Sequence, residues 1–254
     1  MNNEQSNEKI LQWLVTAGAD ETIGETPVNR FALPAQTKQP EKAFSGERTA
    51  DIQPSSPIEN HESVSLAQNA SSLEELRNMI AGLNCPLKTT AANLVFGAGN
   101  PEAKLMIIGE APGAEEDRQG LPFVGASGHL LDLMLGSIGL KRSDVYITNI
   151  LPWRPPGNRK PSENETALLT PFVRRHIALI KPRVLLLLGG SAVAALMNTN
   201  AGITKMRGRW LTYTDADISV QAMASFHPAF LLRTPAQKKL AWRDFLAVRE
   251  KLNA

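Results

Sequence analysis

The sequence predicts a three-layer α/β domain across residues 71–254, in which a central four-stranded, mainly parallel sheet has helices on both faces. Three observations carry that prediction. Four short apolar runs, at 104–109 (KLMIIG), 144–150 (DVYITNI), 183–188 (RVLLLL) and 219–226 (SVQAMASF), are separated by longer stretches of helical periodicity. Helix-start signals stand in the intervals, and strands separated by helices imply parallel pairing through crossovers. The composition of the 254 residues, 43% hydrophobic and 20% charged, is that of a globular chain, which excludes disorder throughout, a collagen-like repeat and a coiled coil.

Residues 5–17 place Ile10, Leu11, Trp13 and Leu14 near one helical face. They predict a short amphipathic helix within residues 1–20, one that docks on its own body or serves a protein partner. Residues 21–70 are rich in Pro, Ser, Thr, Asn and Glu and bury too little apolar surface to offset their ordering entropy, so a disordered acidic linker is expected. Order is expected to resume at Ser72, whose spacing to Glu75 fits a capping box ahead of Leu76, Met79, Ile80 and Leu83. The first strand, 104–109, gives way to a Gly/Pro/acidic loop. A helix with Leu130, Leu131, Met134, Leu135 and Ile138 on one face follows. After the second strand, Ser162 and Glu165 form another capping box for a helix to about residue 180; the third strand and a short helix at 191–197 come next. The fourth strand leads to Thr234 and Pro235, an N-cap and first-turn pair for a closing helix to residue 252 that is expected to bury Leu240, Trp242 and Phe245.

The net charge of +2 conceals a division of the chain. Residues 1–75 carry 5 Lys/Arg against 12 Asp/Glu, whereas residues 76–254 carry 22 against 13. A basic body behind an acidic leader suggests a polyanionic partner. The N-terminus lacks a basic segment followed by an apolar core, and the longest apolar stretch, from Val184 to Met197, is interrupted by Gly189 and Gly190 and is shorter than the about 20 residues a bilayer requires. A cytoplasmic, monomeric protein with no membrane association is therefore expected. The single cysteine, Cys85, excludes an intramolecular disulfide scaffold.

In a parallel sheet of this kind, ligands bind beyond the carboxyl ends of the strands. That rule selects Gly109 to Gly113, Asn149, Gly189-Gly190-Ser191 and His227-Pro228 as segments that should converge. Taken singly, each has an ordinary reading. Glu110 fits an incidental acid in a tight turn, and Phe123 a core residue, as a lone Phe more often is. Asn149 fits a turn cap, although its carboxamide donor and acceptor also suit the edge of a pyrimidine. His227 fits a histidine satisfied by backbone, or a donor to a departing anion. Arg154 and Arg159 bracket a rigid Pro-Pro-Gly-Asn loop, and Lys205, Arg207, Arg209 and Arg233 stand on later loops, at the end of the sheet where phosphates would be held.

Read together, Gly109-Glu110-Ala111-Pro112-Gly113 with Glu116-Asp117, Pro122-Phe123-Val124-Gly125, Asn149 with Arg154 to Arg159, and His227-Pro228-Ala229 with Leu232-Arg233 strongly resemble the family 4 uracil-DNA glycosylases. The resemblance runs from about Leu83 to Leu252. It implies a uracil-DNA glycosylase-like fold acting on uracil-containing DNA, single- or double-stranded: deoxyuridine is flipped from the stack and its N-glycosidic bond hydrolysed. It further implies that Phe123 stacks on uracil, Asn149 reads its edge beside Gly109 and Ala111, His227 faces the O2 side where charge develops, and Glu110 positions water. Ser191, Arg154, Arg159, Arg207 and Arg233 are the implied DNA contacts, with Leu231 the wedge that fills the vacated stack. Arg174-Arg175-His176-Ile177 falls within a predicted helix and receives no such role. Two other readings stay open: a glycosylase for hypoxanthine or xanthine, and a DNA-binding homologue without catalysis.

The family holds a four-cysteine iron-sulfur cluster, and the corresponding positions here are Gly82, Cys85, Trp153 and Leu169. One thiolate cannot hold such a cluster. The expectation is a chain with no cofactor and no metal, in which Trp153 and Leu169 fill the vacated volume with apolar surface.

Overall fold

The computed structural model describes residues 61–254 except residue 217. The helix expected within residues 1–20, and the linker as far as residue 60, lie outside the described residues. The last ten residues of that expected linker belong to the domain. Helix α1 (His61–Gln68) and the turn after it bury Ser63, Ala67 and Ala70, and Arg175 Nε donates to the Ala70 carbonyl at 2.7 Å. The spacing of the three buried residues is helical, but they are small, so the segment reads as linker by composition.

Helix α2 (Leu73–Gly82) starts where the sequence places it, with the Ser72 side chain accepting from the Glu75 N–H. The four predicted strands are present as β2 (Leu105–Gly109), β3 (Val145–Asn149), β4 (Val184–Leu188) and β6 (Ile218–Ser225). The sheet has six strands rather than four. A two-residue β1 (Ala98–Gly99) and β5 (Trp210–Asp215) add antiparallel edges, giving the order β1-β3-β2-β4-β6-β5 around a parallel centre. The edges escape sequence reading because β1 is too short for a periodicity and β5 is half exposed.

Every residue of β2, β3 and β4 is buried, because both faces of the parallel centre are covered. The two-residue alternation sends Met106, Ile108, Leu185 and Leu187 to one side, against Leu76, Phe172 and Ile177. Leu105, Ile107, Leu186 and Leu188 go to the other, against Leu131, Leu135 and Phe245. Between β2 and β3 run α3 (Ala114–Gln119) and α4 (Ala126–Ser137), and α5 (Glu163–Ile180) opens on the predicted Ser162–Glu165 capping box. The remaining helices are α6 (Gly190–Met197), α7 (Ile203–Met206), α8 (Pro228–Arg233) and α9 (Lys238–Asn253). The closing helix begins at Lys238 rather than at Pro235: Thr234 ends α8, a helix the sequence did not predict, and its side chain makes no capping bond to the short turn Pro235–Gln237 that precedes α9. Trp242 does not enter the core as expected. It is 51% exposed, because α9 turns Ala241, Phe245 and Val248 inward.

Cys85, Trp153 and Leu169 all lie in the core cluster on the α5 side of the sheet, each at most 3% exposed. Burial pushes the Cys85 thiol up, away from the thiolate form, and Lys88 lies 5.8 Å over the Trp153 ring. One buried thiol, an indole, an isobutyl group and a glycine do not fit four-thiolate ligation. We expect Trp153→Ala to lower unfolding free energy by about 3–5 kcal/mol in urea titration, the cost of emptying a buried aromatic site. Iron analysis of the unmodified protein should find no stoichiometric iron.

Candidate active site

Parallel pairing aligns the ends of the central strands. Gly109 is level with Asn149, and Leu188 with Ser225, so the four loops that follow leave the sheet on one side. The first two are tied by backbone: Ile150 and Leu151 donate to the carbonyls of Gly109 and Glu110, each at 3.0 Å.

Gly109 is where the two halves of the crevice meet. A Cβ built on it would lie 2.4 Å from Asn149 Oδ1 and 2.7 Å from Phe123 Cζ, so only glycine lets the carboxamide and the ring come this close. Asn149 is 4% exposed, and its Oδ1 is a buried side-chain acceptor with no hydrogen-bond partner among the described residues. Leaving such an acceptor unpaired costs about 1–3 kcal/mol, recoverable from a ligand that brings a donor.

The Phe123 ring stands 5.4 Å from that of His227, at an interplanar angle of 31°. His227 is the N-cap of α8, and its Nδ1 accepts from the Ala229 N–H at 3.1 Å. That bond fixes the tautomer, leaving Nε2 to carry the proton. Burial pulls the His227 pKa down to about 4; Arg233 adds to this and Glu116 opposes it. The ring is therefore a neutral N–H donor at neutral pH. A Cβ on Gly189 would lie 3.3 Å from His227 Cβ, which brings the third loop against the fourth. Two residues on, Ser191 Oγ donates to Glu110 Oε2 at 2.6 Å and links the third loop to the first.

Phe123 is held in an unusual way. Its φ of 53° lies in the left-handed region, which costs a bulky residue about 1–3 kcal/mol. Sequence reading gave no structural role to the residues that hold it. Glu116 accepts from Val124 and Gly125 N–H at 3.0 and 2.9 Å and from Gly113 N–H at 3.1 Å. Arg142 donates to the carbonyls of both Pro122 and Phe123. Gly128 leaves room for the Phe123 carbonyl, from which a Cβ would be 1.7 Å away. Glu116 carried a motif signal, but Arg142 and Gly128 gave none.

Two of the expected DNA contacts face inward. Leu231 is fully buried with Phe226 and Ala241, whereas Leu232 beside it is 42% exposed. The Arg207 guanidinium bonds to the buried Asp244 carboxylate and the Leu240 carbonyl, and its side chain is only 16% exposed. Arg159 grips Glu165 with both terminal nitrogens, which holds that carboxyl well below its usual range and fixes the start of α5. Arg154 Nε donates to Asn158 Oδ1 at 2.8 Å, and Arg233 is exposed at the far end of the helix that His227 caps. His176 lies on helix α5 as the sequence places it, and in the core, within 2.9 Å of the Tyr146 hydroxyl and stacked on Phe96.

This fold, in which Phe123, Asn149 and His227 come together beyond the ends of parallel strands, defines an α/β protein with its candidate site at the carboxyl edge of the sheet. The family model described as the uracil DNA glycosylase superfamily matches residues 96–246, and the chain belongs to that superfamily. It is 38% identical over 185 residues to the type-4 uracil-DNA glycosylase of Sulfurisphaera tokodaii, covering 70% of this chain and 84% of the relative. It is likewise 38% identical over 184 residues to that of Archaeoglobus fulgidus, covering 70% and 92%. The Thermotoga maritima type-4 protein is 39% identical over 150 residues, 59% of this chain and 77% of its own. Among the described residues no helix is long and apolar enough to cross a membrane, and none of the His, Cys, Asp and Glu clusters could hold a metal ion.

Desolvation pulls the pKa of half-buried His227 down to about 4 and that of fully buried His176 to about 3. An unfolded chain takes up protons at these positions below about pH 6.5, before the folded one does. Stability contributed by both rings is thus complete above about pH 6.5 and declines as pH falls toward 4. We expect the melting temperature to fall across that window, and His176→Phe to flatten the slope.

Proposed function

We propose that this protein removes uracil from DNA by hydrolysing the N-glycosidic bond of a flipped deoxyuridine, without an iron-sulfur cluster. The single observation that supports this best is the unpaired Asn149 Oδ1, buried against Phe123 over a glycine. Uracil presents an imide N–H beside a carbonyl. Asn149 Oδ1 accepts from the first while its amide nitrogen donates to the second, which satisfies the orphan acceptor. Phe123 supplies the stacking face, and Gly109 and Ala111 border the ring.

As the C1′–N1 bond breaks, its electron pair stays on the base, and negative charge develops on O2. The Nε2–H of neutral His227 is the donor for that charge, and such a donor is worth about 3 kcal/mol in the barrier. Water adds to C1′ and releases its proton, leaving an abasic site and uracil. Glu110, restrained by Ser191, orients that water. Arg154 and Arg233 hold phosphates, Ser191 lines the strand path, and exposed Leu232 takes the wedge role that buried Leu231 cannot fill.

Single- and double-stranded oligonucleotides containing one deoxyuridine test this directly. Unmodified protein should release uracil from both, and Asn149→Ala or His227→Ala should slow release by about 100-fold or more. No release by folded protein would overturn the reading, and release of hypoxanthine or xanthine in preference would move it to another lesion. Activity should stay level as pH falls from 7 toward 5, since His227 remains neutral there. Leu232→Ala should slow release from duplex more than from single strands. For residues 5–17 we propose a protein-partner role, tested by whether Trp13→Ala leaves uracil release unchanged while abolishing capture of a repair or replication protein.

A further inference from the structure

Strand β3 has one functional residue at its exit, Asn149. Just before it begins, the short turn Arg142–Asp144 places Arg142 so that its guanidinium lies behind the Phe123 segment. Nη1 donates to the Phe123 carbonyl at 2.7 Å, and Nη2 to the neighbouring Pro122 carbonyl. Asp132 on α4 steadies the fork, 3.2 Å from Nη1. Two consecutive carbonyls facing one side suit a planar fork with parallel donors, and an ammonium cannot match both. The backbone they belong to is the one turned left-handed at Phe123. The same carbonyl is packed onto Gly128, and the following two N–H groups are bound by Glu116.

We infer that Arg142 is a positioning residue for the base pocket. By gripping the carbonyls of Pro122 and Phe123 it holds Phe123 in its left-handed conformation, and so sets the stacking ring over Gly109 against Asn149. It touches neither base nor phosphate, and acts through Phe123. The inference rests on the functional reading above for its effect on catalysis, but not for its effect on the backbone.

The test compares Arg142→Gln, Arg142→Lys, Phe123→Ala and the double variant Arg142→Gln/Phe123→Ala in the full chain. Single-turnover uracil release is measured from a deoxyuridine oligonucleotide, and binding to an abasic oligonucleotide is measured alongside. Arg142→Gln should slow release by about 10- to 100-fold, the penalty of a misplaced contact group, with abasic-site binding unchanged within about twofold. Arg142→Lys, which keeps the charge and one carbonyl bond, should fall between. The double variant should be no slower than Phe123→Ala alone, because the arginine has no other route to the reaction. Full activity in Arg142→Gln, multiplicative losses in the double variant, or a parallel loss of abasic-site binding with a shallower salt dependence would each overturn the inference. A crystal structure of Arg142→Gln, or of Arg142→Lys if the first fails to fold, decides the point independently of activity. Phe123 should leave the left-handed region in Arg142→Gln and keep it in Arg142→Lys; retention in the first, or loss in the second, overturns the inference. If the unmodified protein releases no uracil, the functional reading fails while this structural test still stands.

Discussion

The crevice depends on one buried carboxylate. Glu116 points its two oxygens at three backbone N–H groups, those of Gly113, Val124 and Gly125, and thereby pins the loop after β2 to the segment that carries Phe123. A carboxylate taken out of water in this way is tolerable only when its lone pairs are filled, and backbone amides fill them without bringing a counter-charge. The neighbouring Asp117 does the same for residues 92 and 93, binding Ala92 and Asn93 N–H at 2.8 and 3.2 Å. A single turn of α3 therefore fastens the strand-exit loop, the ring-bearing segment and the chain ahead of β1. Glu116 and Asp117 are both spent on backbone amides, and Glu110 is the carboxylate that bonds a side chain across the loops instead, that of Ser191.

The contrast between two histidines shows how the fold separates structure from chemistry. Both are held neutral at neutral pH by desolvation. His176 is paired with the Tyr146 hydroxyl and stacked on Phe96, so its polarity is consumed within the core. His227, half-buried, spends Nδ1 on the helix it caps, which leaves Nε2 to carry the proton. A helix start was the means of fixing a tautomer, and that is why a histidine followed by proline at a strand end carries more information than a histidine within a helix.

Charge on the surface needed the structure to be sorted. In sequence, Arg159, Arg207 and Arg233 are equivalent cations on basic loops. Arg207 pairs with Asp244, whose carboxyl burial still pushes toward protonation against the arginine, and Arg159 anchors the start of α5 through Glu165. Leu231 and Leu232 are similarly adjacent letters with opposite fates, since a helical turn rotates one of two neighbours inward. Trp242 was expected inside because large aromatic residues bury well, but its helix had three better-placed residues to offer the sheet.

The sequence by itself determined the parallel centre of the sheet, the succession of its four main strands, the two capping boxes, and the strand ends at or beyond which Glu110, Asn149, Ser191 and His227 stand. These follow from local periodicity and from the rule that parallel strands end on one side, which are properties of neighbouring residues. It did not reveal helix α1, because packing through Ser63, Ala67 and Ala70 leaves no hydrophobic signal, nor the edge strands, whose pairing partners supply their order. Only the tertiary structure decided that Gly109 keeps space for two side chains from distant loops, that Asn149 is left with an unpaired oxygen, and that Arg142 and Gly128 hold the Phe123 backbone. Those relations join residues tens of positions apart through backbone carbonyls and empty space, neither of which has a letter in the sequence.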